Sequence, residues 1–203
     1  MEERKLNEKE SLELITQMIQ NSKKNLQLGN GNLFLLWGYL CSITAIAIYI
    51  LIEITDSTLW NWLWFAIPVI GYSITYWQTR NQIKPVLTYT DKVIKTIWKI
   101  IGQYGMFIGI MCCLYFNTLP LFPPIVMIMC SLGVCITGSI INDKFMSNCS
   151  GCGLAIGILM LSYVINPPEL DVPNLGFAFS FIIMMVIPGH RLNKEAKRLC
   201  SKN

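Results

Sequence analysis

Residues 33–54 read LFLLWGYLCSITAIAIYILIEI, with a single charge, Glu53, close to the end. About 20 apolar residues in a helix cover the roughly 30 Å of bilayer hydrocarbon. This stretch therefore predicts a membrane-spanning helix and sets the class of the fold. Outward from it, five further runs have the same character: 60–77, with Pro68 and Gly71 inside, then 97–116, 121–141, 146–165 and 175–189. The last has the shortest apolar core and continues through Pro188 and Gly189.

The breaks between runs are polar or proline-rich, such as Asp56-Ser57-Thr58, Asn142-Asp143-Lys144 and Pro167-Pro168-Glu169. Composition agrees with this reading. Of 203 residues, 53% are hydrophobic and 14% charged, against about 25% charged in a soluble domain. A disordered or collagen-like chain and an ordinary soluble enzyme are excluded on that ground.

Lys and Arg set the orientation, because cytosolic segments of membrane proteins collect them. Arg4, Lys5, Lys9, Lys23 and Lys24 precede the first span. Arg80, Lys84, Lys92, Lys95 and Lys99 follow the second, Lys144 follows the fourth, and the remaining five follow the sixth. Together these are all 16 basic residues of the chain, and the three opposite loops contain none. The expected fold is an all-α integral membrane protein with six transmembrane helices and both termini cytosolic. Residues 1–32 form a cytosolic amphipathic helix and turn, 33–189 the membrane domain, and 190–203 a basic cytosolic tail. The polar first 32 residues do not resemble a cleavable leader, so the first span is expected to act as the insertion signal.

Asn7 with Glu10 reads as a variant capping box. Beyond it, Leu12, Leu14, Ile15, Met18 and Ile19 share one face of a helical wheel, and Glu10, Glu13, Gln17 and Gln20 the other. Gly29-Asn30-Gly31-Asn32 predicts the end of this helix. The apolar face has three possible uses: docking on its own bundle, pairing with another chain through residues 8–22, or lying on lipid. Its acidic, amide-rich polar face disfavours the last. Leu12, Ile15, Met18 and Ile19 are the candidate partner-binding residues.

Other candidate sites are sparse. Gly105 with Gly109, and Gly153 with Gly157, have the spacing that lets helix backbones approach, which pairs spans three and five within the bundle or across a dimer. Cys149-Ser150-Gly151-Cys152 forms a CxxC whose metal site would be completed by His190 and Cys200. Glu53, Pro68, Ser73, Thr75 and Gln103 are the candidates for a solute path, with a kink expected at Pro68. No ionisable group sits at a span's centre, which argues against ion-coupled transport. Hydrolase, metalloprotease and nucleotide-binding motifs are missing from the sequence. The expected protein is not an enzyme, uses no cofactor and does not bind nucleic acid. It acts as a regulatory or assembly partner through its cytosolic helix. The alternatives are a small transporter or channel subunit for a weakly polar solute, and a metal or redox site at the cytosolic face.

Three pieces, Glu10-Ser11-Leu12-Glu13-Leu14-Ile15-Thr16-Gln17-Met18-Ile19, Leu36-Trp37-Gly38-Tyr39 and Ile187-Pro188-Gly189-His190, together resemble a group of small multi-span bacterial inner-membrane proteins. That resemblance implies a shared architecture and a bacterial inner membrane, and brings no catalytic residue with it.

Overall fold

The computed structural model describes residues 7–80, 89–114, 119–166 and 173–201. Among these the chain is helical and has no strand. Helix α1 covers Glu8–Thr55, and a 3₁₀ helix follows at Thr58–Phe65. Then come α2 (Ala66–Arg80), α3 (Tyr89–Leu114), α4 (Phe122–Ile141) and α5 (Lys144–Ile165). The last rod consists of α6 (Pro173–Phe181), a π-helical turn (Ile182–Val186) and α7 (Ile187–Ser201).

Five of these segments are long and apolar enough to cross a membrane: Gly31–Thr55, Tyr89–Leu114, Leu119–Ile141, Lys144–Ile165 and Asn174–Glu195. The expected second span is helical but divided. Residues 58–65 wind as 3₁₀ helix and α2 has only 15 residues. Pro68 lies in the first turn of α2, where its missing N–H has no helical partner to lose. The helix type changes at Phe65, three residues before Pro68.

Local chemistry accounts for the ends. At the start of α1, the Asn7 backbone N–H donates to the Glu10 carboxylate at 3.1 Å, one half of the expected capping box. Asp56 closes α1 in the left-handed conformation, φ 49°, and its N–H donates to the Ile52 carbonyl. Asn142 closes α4 in the same way at φ 61°. Asp143 then caps α5 by accepting from the N–H groups of Phe145 and Met146.

The expected helix end near Gly29 does not occur. Helix α1 runs without interruption through Gly29-Asn30-Gly31-Asn32. Gly31 faces α7 so closely that a Cβ there would strike the Asn193 side chain, and Asn193 donates to the Asn32 side chain at 2.7 Å. This glycine serves a helix–helix contact, and the contact holds the helix together where its local signals favour a stop.

Helix α1 and the α6–α7 rod form one tight seam. A Cβ on Gly38 would meet Val186 at 2.8 Å, and one on Gly189 would meet Leu35 at 3.0 Å. The Ser42 hydroxyl lies 2.8 Å from its own-helix Gly38 carbonyl and 3.1 Å from the Ala178 carbonyl across the seam. The π turn precedes Pro188, a residue that clashes with the carbonyl four positions back in a regular helix. Widening the turn, with the Ile187 N–H donating to Ile182, accommodates it.

Helix α4 is the centre of the other half, with α3 on one side and α5 on the other. The Ser131 hydroxyl donates to the Ser150 carbonyl at 2.6 Å, and the Trp98 indole N–H donates to the Thr137 hydroxyl at 3.2 Å. Polar side chains bridging helices in this way contribute about 0.6 kcal/mol each in a bilayer. Both glycine pairs face α4. Gly109 lies under the Phe122 ring, Gly105 is near Val126, Gly157 abuts Ile128, and Gly153 abuts Met184 and Ser131. The expected pairing of spans three and five within the bundle is therefore corrected: α4 lies between them, since short connections make consecutive helices neighbours.

Candidate functional site

One end of the bundle gathers the polar chemistry. The Asn32–Asn193 pair puts the start of the first apolar span beside α7. Two turns of α1 further on, the Tyr39 hydroxyl lies 2.7 Å from His190 Nε2, with the two rings edge to face. Arg191 is next in the chain. Its guanidinium is 3.6 Å from the Asp143 carboxylate, 3.1 Å from Glu195, and above the Phe145 ring at 4.7 Å from its centroid. The Asp143 side chain is only 10% exposed, and it also caps α5. Arg191 thus ties the α4–α5 turn to α7, through a cation–π contact worth about 0.5–1 kcal/mol and an ion pair that water screens on the Arg191 side.

This arrangement brings Lys144 and the basic residues of α7 to the same end of the bundle. Asp143 adjoins Lys144, and Arg191 opens the basic face of α7, where Lys194, Lys197 and Arg198 are all exposed.

Of the metal candidates, His190 is engaged with Tyr39, Cys149 is half-buried and Cys152 is exposed. The Cys200 side chain lies outside the described residues. Among the described residues, no three His, Cys, Asp or Glu side chains come together that could hold a metal ion.

The path candidates are spread over different elements. Glu53 is exposed near the far end of α1, and Gln103 is exposed on α3. Ser73 is exposed on α2 and donates to its own-helix Val69 carbonyl, and Thr75 likewise donates to Gly71. Gly71 is a contact point, because the Trp37 ring comes so close to its backbone that it excludes any Cβ. Trp37 in turn meets Tyr72 edge to face at 5.5 Å.

At the start of α1, the described side chains between Asn7 and Thr16 are exposed, including Leu12 at 65%. The side chains of Ile15, Met18 and Ile19 lie outside the described residues. With 1.5 Å of rise per residue, the stretch of α1 before Gly31 is about 35 Å long. The Asn32–Asn193 contact fixes the antiparallel register with α7. Ser201, eight residues beyond Asn193, comes level with about Lys24. Residues 8–22 of α1 stand beyond that level.

Sequence reasoning passed over Arg191 and Asp143 as a pair. Asp143 carried a usable signal, since an Asp just before a helical run is a favoured N-cap. Its partner 48 positions away had none. Comparison with protein-family models, with curated proteins and with solved structures returns no match.

Proposed function

We propose that the protein is a six-span, non-enzymatic membrane protein of a bacterial cytoplasmic membrane. Both termini are cytosolic, and residues 8–22 form a helical arm that docks a second protein. The observation that carries this reading is the continuity of α1 from Glu8 to Thr55. A 48-residue helix is about 72 Å long, more than twice what the hydrocarbon needs. Its first turns keep an apolar residue, Leu12, exposed among Glu10, Glu13 and Lys9.

The arm and the first membrane span belong to one continuous helix, which supports a reading in which an event at one is passed to the other. A sixth crossing by residues 58–80 is supported by length. Eight residues of 3₁₀ helix and 15 of α-helix together extend about 38 Å. A sixth crossing returns every Lys and Arg to one side, as the positive-inside rule requires.

The test is affinity purification in native lipid of the full chain and of a variant lacking residues 8–22. A protein recovered in stoichiometric amount with the first and lost with the second is the expected result. Equal recovery with both, or recovery of the chain alone with both, overturns the reading.

A further inference from the structure

We propose that the protein self-associates in the membrane through the outward face of α3, where Gln103 of one copy pairs with Gln103 of a second. This surface is separate from the helical arm. The packed side of α3 meets α4. A Cβ on Gly133 would meet Ile101 and Trp98, Gly109 lies under Phe122, and Gly105 is near Val126. Successive residues of a helix turn by about 100°, so Gln103 stands about 200° from Gly105, on the opposite side. Ile100, Phe107, Ile110 and Leu114 share that side with it, and all five residues are exposed. Their alternating spacing of three and four residues is the seam by which two helices pack at a small crossing angle.

The apolar members of this seam are as well solvated by lipid as by protein, so the amide decides what covers it. Gln103 lies about 9 Å inside the apolar run that opens at Ile97, and Tyr104–Leu114 beyond it carries no charge or amide. Exposed hydroxyls on the spans return to carbonyls of their own helix: Thr96 donates to Lys92, Ser139 to Cys135 and Ser162 to Ile158. The Gln103 side chain makes no hydrogen bond among the described residues. An unpaired amide in hydrocarbon costs free energy, and amides on membrane helices pair across helices. A primary amide carries both donors and an acceptor, so two of them satisfy each other. Copies inserted the same way present Gln103 at the same depth. A two-fold axis along the membrane normal brings the two amides face to face, each donating to the other's oxygen. A second copy thus supplies what a lipid chain does not. One polar residue in an otherwise apolar seam also fixes its register.

The test is Förster transfer between full-length copies labelled with donor or acceptor at the C-terminus, in phospholipid vesicles over a series of protein-to-lipid ratios. The native chain should show transfer above chance proximity that saturates as a dimer. Gln103→Leu should weaken the dimer about fivefold. Gln103→Asn, which keeps the amide, should retain most of it, and Phe107→Ala on the same face should weaken it. Asn148→Leu, which removes an exposed amide on α5, and Leu12→Asp, on the arm, should change nothing. Unchanged thermal midpoints check folding. A native chain that stays monomeric, undiminished transfer in Gln103→Leu, or an equal loss in Asn148→Leu or Leu12→Asp would each overturn the proposal. The first would leave the seam to lipid, the second would show a dimer made elsewhere, and the third would move the contact to α5 or to the arm.

Discussion

The Tyr39 hydroxyl and His190 Nε2 are 2.7 Å apart across the seam between α1 and α7, although the two residues are 151 positions apart in the chain. Both lie on the surface of the bundle, each within a segment apolar enough to cross a membrane. A hydrogen bond between two helices contributes about 0.5–1 kcal/mol. Tyr39→Phe is expected to lower stability by that amount. Combining it with His190→Ala should add little beyond His190→Ala alone. Thermal unfolding of both single variants and the double variant measures the coupling, and fully additive losses would show that the contact contributes nothing.

Asp143 has two tasks, capping α5 and meeting Arg191, and two substitutions separate them. Asparagine caps a helix about as well as aspartate but has no charge. Asp143→Asn should therefore cost less than Asp143→Ala, which loses the cap as well and is expected to destabilise by about 1 kcal/mol more. Equal midpoints for the two variants would deny the capping role.

The glycines differ in how much room they leave. Gly105 has Val126 at 4.0 Å from an added Cβ and nothing nearer. Gly105→Ala should be neutral or stabilise by up to about 1 kcal/mol through helix propensity. At Gly38, an added Cβ meets Val186 at 2.8 Å with Met185 behind it. Gly38→Leu should therefore overpack the seam and cost about 1–3 kcal/mol. Detergent unfolding curves that rank the two the other way would contradict the packing described for α1.

Much of this fold was legible in residue order. The apolar runs reproduce the five long helices, and Asp56, Asn142 and Asp143 mark ends because their short side chains tolerate left-handed backbone or accept from free N–H groups. The failures share a cause. Gly31 resembles a stop signal, and Gly109 and Gly153 resemble partners, because a glycine announces a close approach without naming what approaches. Asn193, Phe122 and Met184 fill those places, and each is set by tertiary packing. The division of the second span at Phe65 was equally hidden, since TLWNWLWF is as apolar in a 3₁₀ helix as in an α-helix. Leu12 was legible as a candidate for docking. The cluster of Arg191, Asp143 and Phe145 was not, because it joins two distant segments.

Continuity of α1 has a simple metric. Spin labels at Leu12 and Asn32 are 20 residues apart and should be about 30 Å apart along a straight helix. Pulsed dipolar spectroscopy in lipid nanodiscs should give one narrow distribution at that value. A broad or shorter distribution would mean that Gly29-Asn30-Gly31 breaks the helix after all. Asn30→Pro, which removes a helical hydrogen bond and costs about 3 kcal/mol or more in a helix interior, should broaden it.

The central claim is that the arm before Gly31 meets another protein, and contact at Leu12 tests it most directly. A photoreactive amino acid in place of Leu12, activated in living cells, reports what touches that position. The account predicts one discrete cross-linked product, a protein adduct of defined mass, which a label at exposed Ile54 at the other end of α1 does not give. Cross-links confined to the chain's own helices or to lipid would contradict it.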